Sequence, residues 1–260
     1  MLDTEKIMEK LKNWVEELGE IQLEKLNSDF EINTKSAAID LVTEVDELSE
    51  EFLLDKIQAN YPQHAILSEE SGVKDSDSDY KWIIDPIDGT TNYANGFIVF
   101  SISVALQYQG ETILGVVYAP RVEQLYSAIK GKGAFLNGEE IAVSKITNLE
   151  EALIATGFPY DRATSDHNNI DNLSDLVTQV QGIRRTGSAA FDLCTVAGGV
   201  FDGYWELKLS IWDIAAGRLI VKEAGGKIIS KEIDDDIFMI AGNKNIVDKI
   251  EAEVKLTPEN

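Results

Sequence analysis

The segment Trp82-Ile83-Ile84-Asp85-Pro86-Ile87-Asp88-Gly89 restricts the fold more than any other stretch of the chain. Its apolar start reads as a buried strand that ends on a carboxylate. Pro86 cannot donate to a sheet ladder, so the strand is expected to stop at Asp85, and Gly89 permits a turn that a side chain would obstruct. Asp88 then points back toward Asp85. Two ionised carboxylates held close at a strand end repel one another, a cost that a cation between them removes. Hard oxygen ligands of this kind suit Mg²⁺, Ca²⁺ or Mn²⁺ rather than zinc. Gly89-Thr90-Thr91-Asn92 is expected to open a short helix whose free N–H groups can receive an anion. An Asp-Pro turn followed by a helix-capping Asp is the plainer structural reading of the same residues.

Around this segment the pattern mixes helices and strands. Ile7, Leu11, Trp14, Val15, Leu18 and Ile21 recur at three- and four-residue steps, which predicts an amphipathic helix from Thr4 to about Leu26. A second helix is expected from about Glu44 to Gln58, with Val45, Leu48, Phe52 and Leu53 inward, and an exposed loop from Gly72 to Tyr80. Strands are expected at Trp82–Ile84, Phe97–Gln107, Thr112–Ala119, Leu125–Ile129, Leu153–Thr156, Gly203–Glu206 and Ile237–Ala241. Further helices are read at Asn169–Val180, after Ala190 to about Gly198, and from about Asp213 to Ala224. Mixed order rather than strict βαβ alternation argues α+β or a layered α/β sandwich. A boundary near Asn148 would divide the chain into halves 1–148 and 149–260 of one unit.

Three further acidic clusters fall at the junctions of these elements: Asp40-Leu41-Val42-Thr43-Glu44-Val45-Asp46, Ser68-Glu69-Glu70-Ser71-Gly72, and Trp212-Asp213-Ile214-Ala215-Ala216-Gly217. Taken singly, Asp40, Asp46 and Asp213 read equally well as helix caps and Glu69-Glu70 as a solvated loop. Taken together, four acid-bearing junctions suggest a polynuclear metal site. No rival apparatus competes with it. The chain has no G-x-x-x-x-G-K-[ST], G-x-G-x-x-G or G-x-S-x-G. His64 and His167 lie in polar loops and are expected at the surface, and Cys194 sits in an apolar helical pattern and is expected in the core.

With 23 basic against 46 acidic residues among 260, the formal charge is −23. Such a field repels nucleic-acid backbones and anionic membranes and attracts cations. No apolar stretch approaches the roughly 20 residues that cross a bilayer. A single cysteine and an N-terminal region rich in acids lead to the expectation of a cytoplasmic protein without nucleic-acid or membrane partners.

The motif Asp85–Asn92 together with Trp212–Gly217 resembles the paired signature of the inositol monophosphatase family, Mg²⁺-dependent, Li⁺-sensitive phosphomonoesterases. The likeness runs from about Lys35 to Gly242, and the Asp40–Asp46 and Ser68–Ser71 clusters fall in the order of that family's other acidic motifs. It implies an α-β-α-β-α sandwich of the inositol monophosphatase and fructose-1,6-bisphosphatase kind, as a homodimer. It also implies that Glu69, Asp85 and the Ile87 carbonyl hold one Mg²⁺, that Asp85, Asp88 and Asp213 hold a second, and that Glu69 supports a weaker third. Mn²⁺ is the expected substitute. Thr90 and Asp46 would orient the attacking water, and Gly89 and Thr90 N–H groups would bind phosphate. Gly187-Ser188-Ala189 and Glu206 would contact the rest of the substrate, bordered by Asp88 and Asp213. Ser188 stands where animal members carry threonine. Lys35 matches a loop lysine that reaches the site in several members.

The expected substrate is a small phosphorylated molecule, myo-inositol monophosphate or a related sugar phosphate. Relatives of this fold also act on fructose 1,6-bisphosphate, the 2′-phosphate of NADP or 3′-phosphoadenosine 5′-phosphate. These substrates need extra cations, for which Lys35, Arg184, Arg185 and Lys208 are candidates. An aspartyl-phosphate mechanism of the D-x-D-G-T kind fits poorly, because Asp85 and Asp88 are three apart and Pro86 intervenes. A relative that binds metal without catalysis is the non-enzymatic alternative.

Overall fold

The apolar stripe of the first helix is buried as its spacing requires: α1 (Thr4–Leu26) turns Ile7, Leu11, Trp14, Val15 and Leu18 inward. This is a computed structural model, and it describes residues 2–26, 28, 32–34, 41–233 and 236–255. A short ladder, β1 (Ile32–Thr34) with β2 (Leu41–Thr43), precedes α2 (Glu44–Asn60). Val45, Leu53 and Ile57 of α2 are buried, but so are Asp46, Ser49 and Glu50. Leu48 and Phe52, expected inward, are only half-buried. A polar inner stripe is costly unless it serves something beneath it.

Beneath it lies an eight-stranded sheet. It comprises β3 (Ala65–Ser68), β4 (Gly72–Lys74), β5 (Tyr80–Asp88), β6 (Ser101–Tyr108), β7 (Glu111–Ala119), β8 (Gln124–Ile129), β9 (Ala134–Leu136) and β10 (Glu139–Ile141). Their spatial order is β10-β9-β8-β7-β6-β5-β3-β4. Helix α3 (Thr90–Ala94) follows β5 directly. Strand β5 is parallel to β3 and antiparallel to β6. It does not stop at Asp85 as expected. The ladder with β6 resumes at Asp88 after a register shift, so Pro86 sits in a bulge, where its missing N–H costs no ladder bond.

After a short 3₁₀ turn comes a five-stranded sheet in the order β12-β11-β13-β15-β14. Its strands are β11 (Leu153–Thr156), β12 (Gly182–Arg184), β13 (Gly203–Leu209), β14 (Lys227–Ile233) and β15 (Asp236–Gly242). The helices of this part are α4 (Ile170–Val177), α5 (Ala189–Ala197), α6 (Ile211–Glu223) and α7 (Lys244–Glu253). β4 lies within the expected loop, and neither β14 nor α7 was anticipated.

Three apolar clusters define the layering. Ile66, Trp82, Ile84, Val104 and Val116 of the large sheet pack against α1 and α2. Ile83, Ala105 and Val117, on its other face, pack with α5 and α6 against Tyr204, Met239 and Ala241 of the small sheet. The small sheet's far face, with Ile154, Trp205 and Ile240, is covered by α4 and α7. The result is the expected α-β-α-β-α sandwich, and the acidic junctions gather where β3 and β5 end and α5 and α6 begin.

Candidate active site

Glu69, Asp85, Asp88 and Asp213 border one cavity of about 780 Å³. They come from three places in the chain, since Asp85 and Asp88 share β5. Glu69 follows β3 and donates its N–H to the Ile84 carbonyl at 3.2 Å. Asp85 precedes the bulge, and its Oδ1 accepts the Ile87 N–H at 3.0 Å. Asp88 lies at the start of α5, where it accepts Ser188 Oγ at 2.7 Å, Ala190 N–H at 2.6 Å and Ala189 N–H at 3.2 Å. A helix start is where an anion is most welcome. Asp213 is the third residue of α6, and its Oδ2 accepts the Ser210 N–H at 2.7 Å.

Burial pushes the Asp85 carboxyl well up, and the charges of Glu69, Asp88 and Asp213 push it further. Asp213 is likewise raised well above its ordinary value by burial, then by Asp88 and Glu69. Asp88 is raised to about 6 by burial, against the lowering effect of its bonds from Ser188, Ala190 and Ala189. Asp85, Asp88 and Asp213 form no ion pair with a lysine or arginine among the described residues. Nor do three acid, histidine or cysteine side chains close into a cage among the described residues. The acids surround a shared space, with Glu69 close enough to Asp85 to share a hydrogen bond with it. A donor set of carboxylate oxygens with uncompensated charge fits hard divalent cations.

Asp46 does not border the cavity. It is buried as the third residue of α2, accepting Thr43 Oγ1 at 2.6 Å, Thr43 N–H at 2.8 Å and Thr90 Oγ1 at 3.0 Å. Burial raises its pKa against these bonds. Thr90 Oγ1 also lies 3.2 Å from the Ile87 carbonyl, so its one proton faces two acceptors and its lone pairs stay available to a donor in the cavity. Gly89, at φ 99°, makes the turn between Asp88 and Thr90, and a Cβ there would lie 3.0 Å from the Gly187 carbonyl oxygen. The left-handed conformation and this close approach both require glycine. They seat the Gly187-Ser188-Ala189 loop directly on the turn.

The same three residues, with Glu206, also line the cavity. Burial pushes Glu206 up to about 7, with Tyr204 and Arg185 pulling it down. A Cβ on Gly157 would fall 1.9 Å from Glu206 Oε1, so the carboxylate occupies the space a side chain would need. Of the candidate cations, Arg185 and Lys208 line the cavity, and Lys208 is engaged by Asp161 and Ser165. Arg184 lies outside it and donates to the Ile183 carbonyl. Lys35 and Asp40 lie outside the described residues. His64 is not a plain surface residue: it stacks between Tyr61 and Tyr80 and accepts Trp82 Nε1 at 3.1 Å. Cys194 is in the core.

Arg162 and Asp192 also line the cavity and escaped the sequence reading. Asp192 carried a usable signal, being the one acid in the apolar helix Ala189–Ala197. It is raised well above its ordinary value by burial and accepts Thr186 Oγ1 at 2.7 Å. Arg162 gave no such signal, because its position depends on how the segment after β11 folds over the rim.

The model of the inositol monophosphatase family matches residues 3–239. The chain is 42% identical over 205 residues to Nus factor SuhB of Escherichia coli K12, covering 78% of this chain and 76% of that protein. It is 46% identical over 197 residues to an inositol-1-monophosphatase of Synechocystis, covering 75% of this chain and 69% of that protein. The inositol monophosphatase structure from Anabaena superposes with a TM-score of 0.88 at 35% identity, covering 99% of this chain and 98% of that one. The SuhB relatives lend no support to the exclusion of nucleic-acid partners drawn from net charge.

Proposed function

The chain belongs to the inositol monophosphatase family, and on that premise we propose that it is a Mg²⁺-dependent phosphatase of myo-inositol monophosphate or a related sugar phosphate. The observation that carries this reading is the meeting of four carboxylates from three distant parts of the chain around one cavity. In this reading Glu69, Asp85 and the Ile87 carbonyl hold one cation, Asp85, Asp88 and Asp213 a second, and Glu69 supports a third. When bound, these cations supply an acidified water and neutralise charge on the phosphoryl and leaving oxygens. Mn²⁺ substitutes on the same oxygen donors.

The residues divide the remaining work. Asp46 holds the Thr90 hydroxyl, which orients the attacking water in line with phosphorus. Gly89 and Thr90 N–H groups face the phosphate oxygens, so charge developing there meets fixed dipoles. No protein nucleophile is required. Gly187, Ser188, Ala189 and Glu206 hold the hydroxyl-bearing part of the substrate. Asp88 and Asp213 border the substrate at their junction. The enzyme acts in this reading as a cytoplasmic homodimer.

A second reading keeps the site and enlarges the substrate to fructose 1,6-bisphosphate, the NADP 2′-phosphate or 3′-phosphoadenosine 5′-phosphate. Arg162 and Arg185 on the wall of a 780 Å³ cavity favour it, since both can meet a further anionic group. The test of both readings is a panel of these phosphomonoesters at equal concentration, with Mg²⁺ and with chelator. Metal-dependent release of phosphate ranked toward myo-inositol 1-phosphate supports the first reading. A rank led by a bisphosphate or dinucleotide supports the second. No phosphate release from any member would overturn both.

A further inference from the structure

One buried amide touches every element that carries the supposed chemistry on the α1 side of the large sheet. Gln22, the nineteenth residue of α1, is fully buried. Its Nε2 donates to Ser49 Oγ of α2 at 3.0 Å and to the Pro86 carbonyl at 3.0 Å. Its main-chain carbonyl accepts the hydroxyl of Tyr93, in α3, at 2.8 Å. Ser49 is one helical turn beyond Asp46, Pro86 lies in the bulge between Asp85 and Ile87, and Tyr93 is three residues beyond Thr90. The Pro86 carbonyl needs a donor, which settles which end of the amide faces it. Gln22 Oε1 then has no partner among the described residues and is buried. An orphaned buried acceptor is a cost that leucine at this position would not carry, so packing alone does not account for the glutamine.

We propose that Gln22 is a positioning residue that holds the Asp46–Thr90 pair in register with the Asp85–Ile87 arm of the acidic floor. The inference rests on the phosphatase reading for its consequence in turnover, and on geometry alone for its consequence in cation binding. The Pro86 carbonyl is fixed from the α1 side while Asp85 Oδ1 is fixed by the Ile87 N–H, so the bulge is held at both ends. Releasing the first leaves the arm free to shift against Thr90, whose hydroxyl reads the Ile87 carbonyl at 3.2 Å. Misplacement on this scale is felt by in-line chemistry.

The test compares wild type, Gln22→Leu and Tyr93→Phe in the full chain. The readouts are Mg²⁺ binding by calorimetry, kcat and KM on p-nitrophenyl phosphate, and the melting midpoint of the metal-free protein. Gln22→Leu should lower kcat by roughly 10- to 100-fold and weaken Mg²⁺ binding by roughly tenfold, with KM and the melting midpoint little changed. Tyr93→Phe should shift the same quantities in the same direction by less. A folded Gln22→Leu whose kcat and Mg²⁺ affinity stay within twofold of wild type overturns the proposal. So does a loss of kcat that follows a lowered melting midpoint at unchanged Mg²⁺ affinity, which marks a merely structural role. Should Gln22→Leu fail to fold, wild-type values in Tyr93→Phe overturn it. Absence of turnover in wild type counts against the phosphatase reading instead, and the calorimetry still decides the role of Gln22.

Discussion

The starts of α2 and α6 follow one local rule and end in opposite states. In each, the third helical residue is an aspartate that reaches back to the N–H before the helix, Asp46 to Thr43 at 2.8 Å and Asp213 to Ser210 at 2.7 Å. Asp46 then receives two hydroxyls, from Thr43 and Thr90, and lies off the cavity. Asp213 accepts no hydrogen bond from another side chain among the described residues, lines the cavity and feels the charges of Asp88 and Glu69. The same capping device therefore serves once to hold a hydroxyl and once to present a bare oxygen. What separates them is the neighbour across the gap, which local sequence does not specify.

The harshest way to break this comparison is Asp213→Asn. It removes a charge that the other acids repel, so the metal-free protein should hold or gain stability. Its turnover should fall by more than the roughly 100-fold that loss of a supporting residue costs. Calorimetry with Mg²⁺ and denaturation of the metal-free protein separate the two effects; retained Mg²⁺ binding with normal kcat would place Asp213 outside the centre. Asp46→Asn should be milder. It keeps cation binding and lowers kcat by roughly 10- to 100-fold through Thr90, and steady-state rates together with Mg²⁺ titration test that pairing.

These two acids also mark what was legible from the chain alone. The strand-ending acids, the helix of Asp213 and the five layers follow from apolar runs and from a motif resemblance. The persistence of β5 through Pro86 was not legible, because a bulge is decided by the partner strand β6 rather than by the proline itself. β4 and β14 escaped for a similar reason: Gly72–Lys74 and Lys227–Ile233 owe their extended form to pairing with β3 and β15. α7 was legible in retrospect, since Asn243 caps it through the Ile246 N–H and Ile246, Val247 and Ile250 follow at helical spacing. Gln22 could not be read, because its three partners lie 27, 64 and 71 residues away.

A gentler test uses acidity elsewhere in the cavity lining. Glu206 is raised from 4.5 to about 7 on folding, so the folded state holds its proton more tightly than the unfolded chain. Its contribution to stability is therefore complete below pH 4.5 and disappears as pH rises through about 7. Metal-free wild type should lose urea resistance over that window, and Glu206→Gln should flatten the slope. Mg²⁺ should relieve the part due to Asp85, Asp88 and Asp213 and leave the part due to Glu206. A slope unchanged in Glu206→Gln would reject this assignment. The smallest effect is at the caps themselves. Thr43→Ala removes a side chain that accepts the Val45 N–H and donates to Asp46, and should cost about 1 kcal/mol. Ser210→Ala leaves the main-chain bond to Asp213 intact and should cost less, a difference that paired denaturant titrations resolve.

Asp88 belongs to a strand of the large sheet, yet the groups that grip it, Ser188, Ala189 and Ala190, belong to the start of α5, which links two strands of the small sheet and packs between the two sheets. Any jaw-like parting of those two layers would tear three bonds from a single carboxylate. The layers are therefore tied to one another through the acidic site itself, and any loosening of that tie would bare the Asp88 carboxylate.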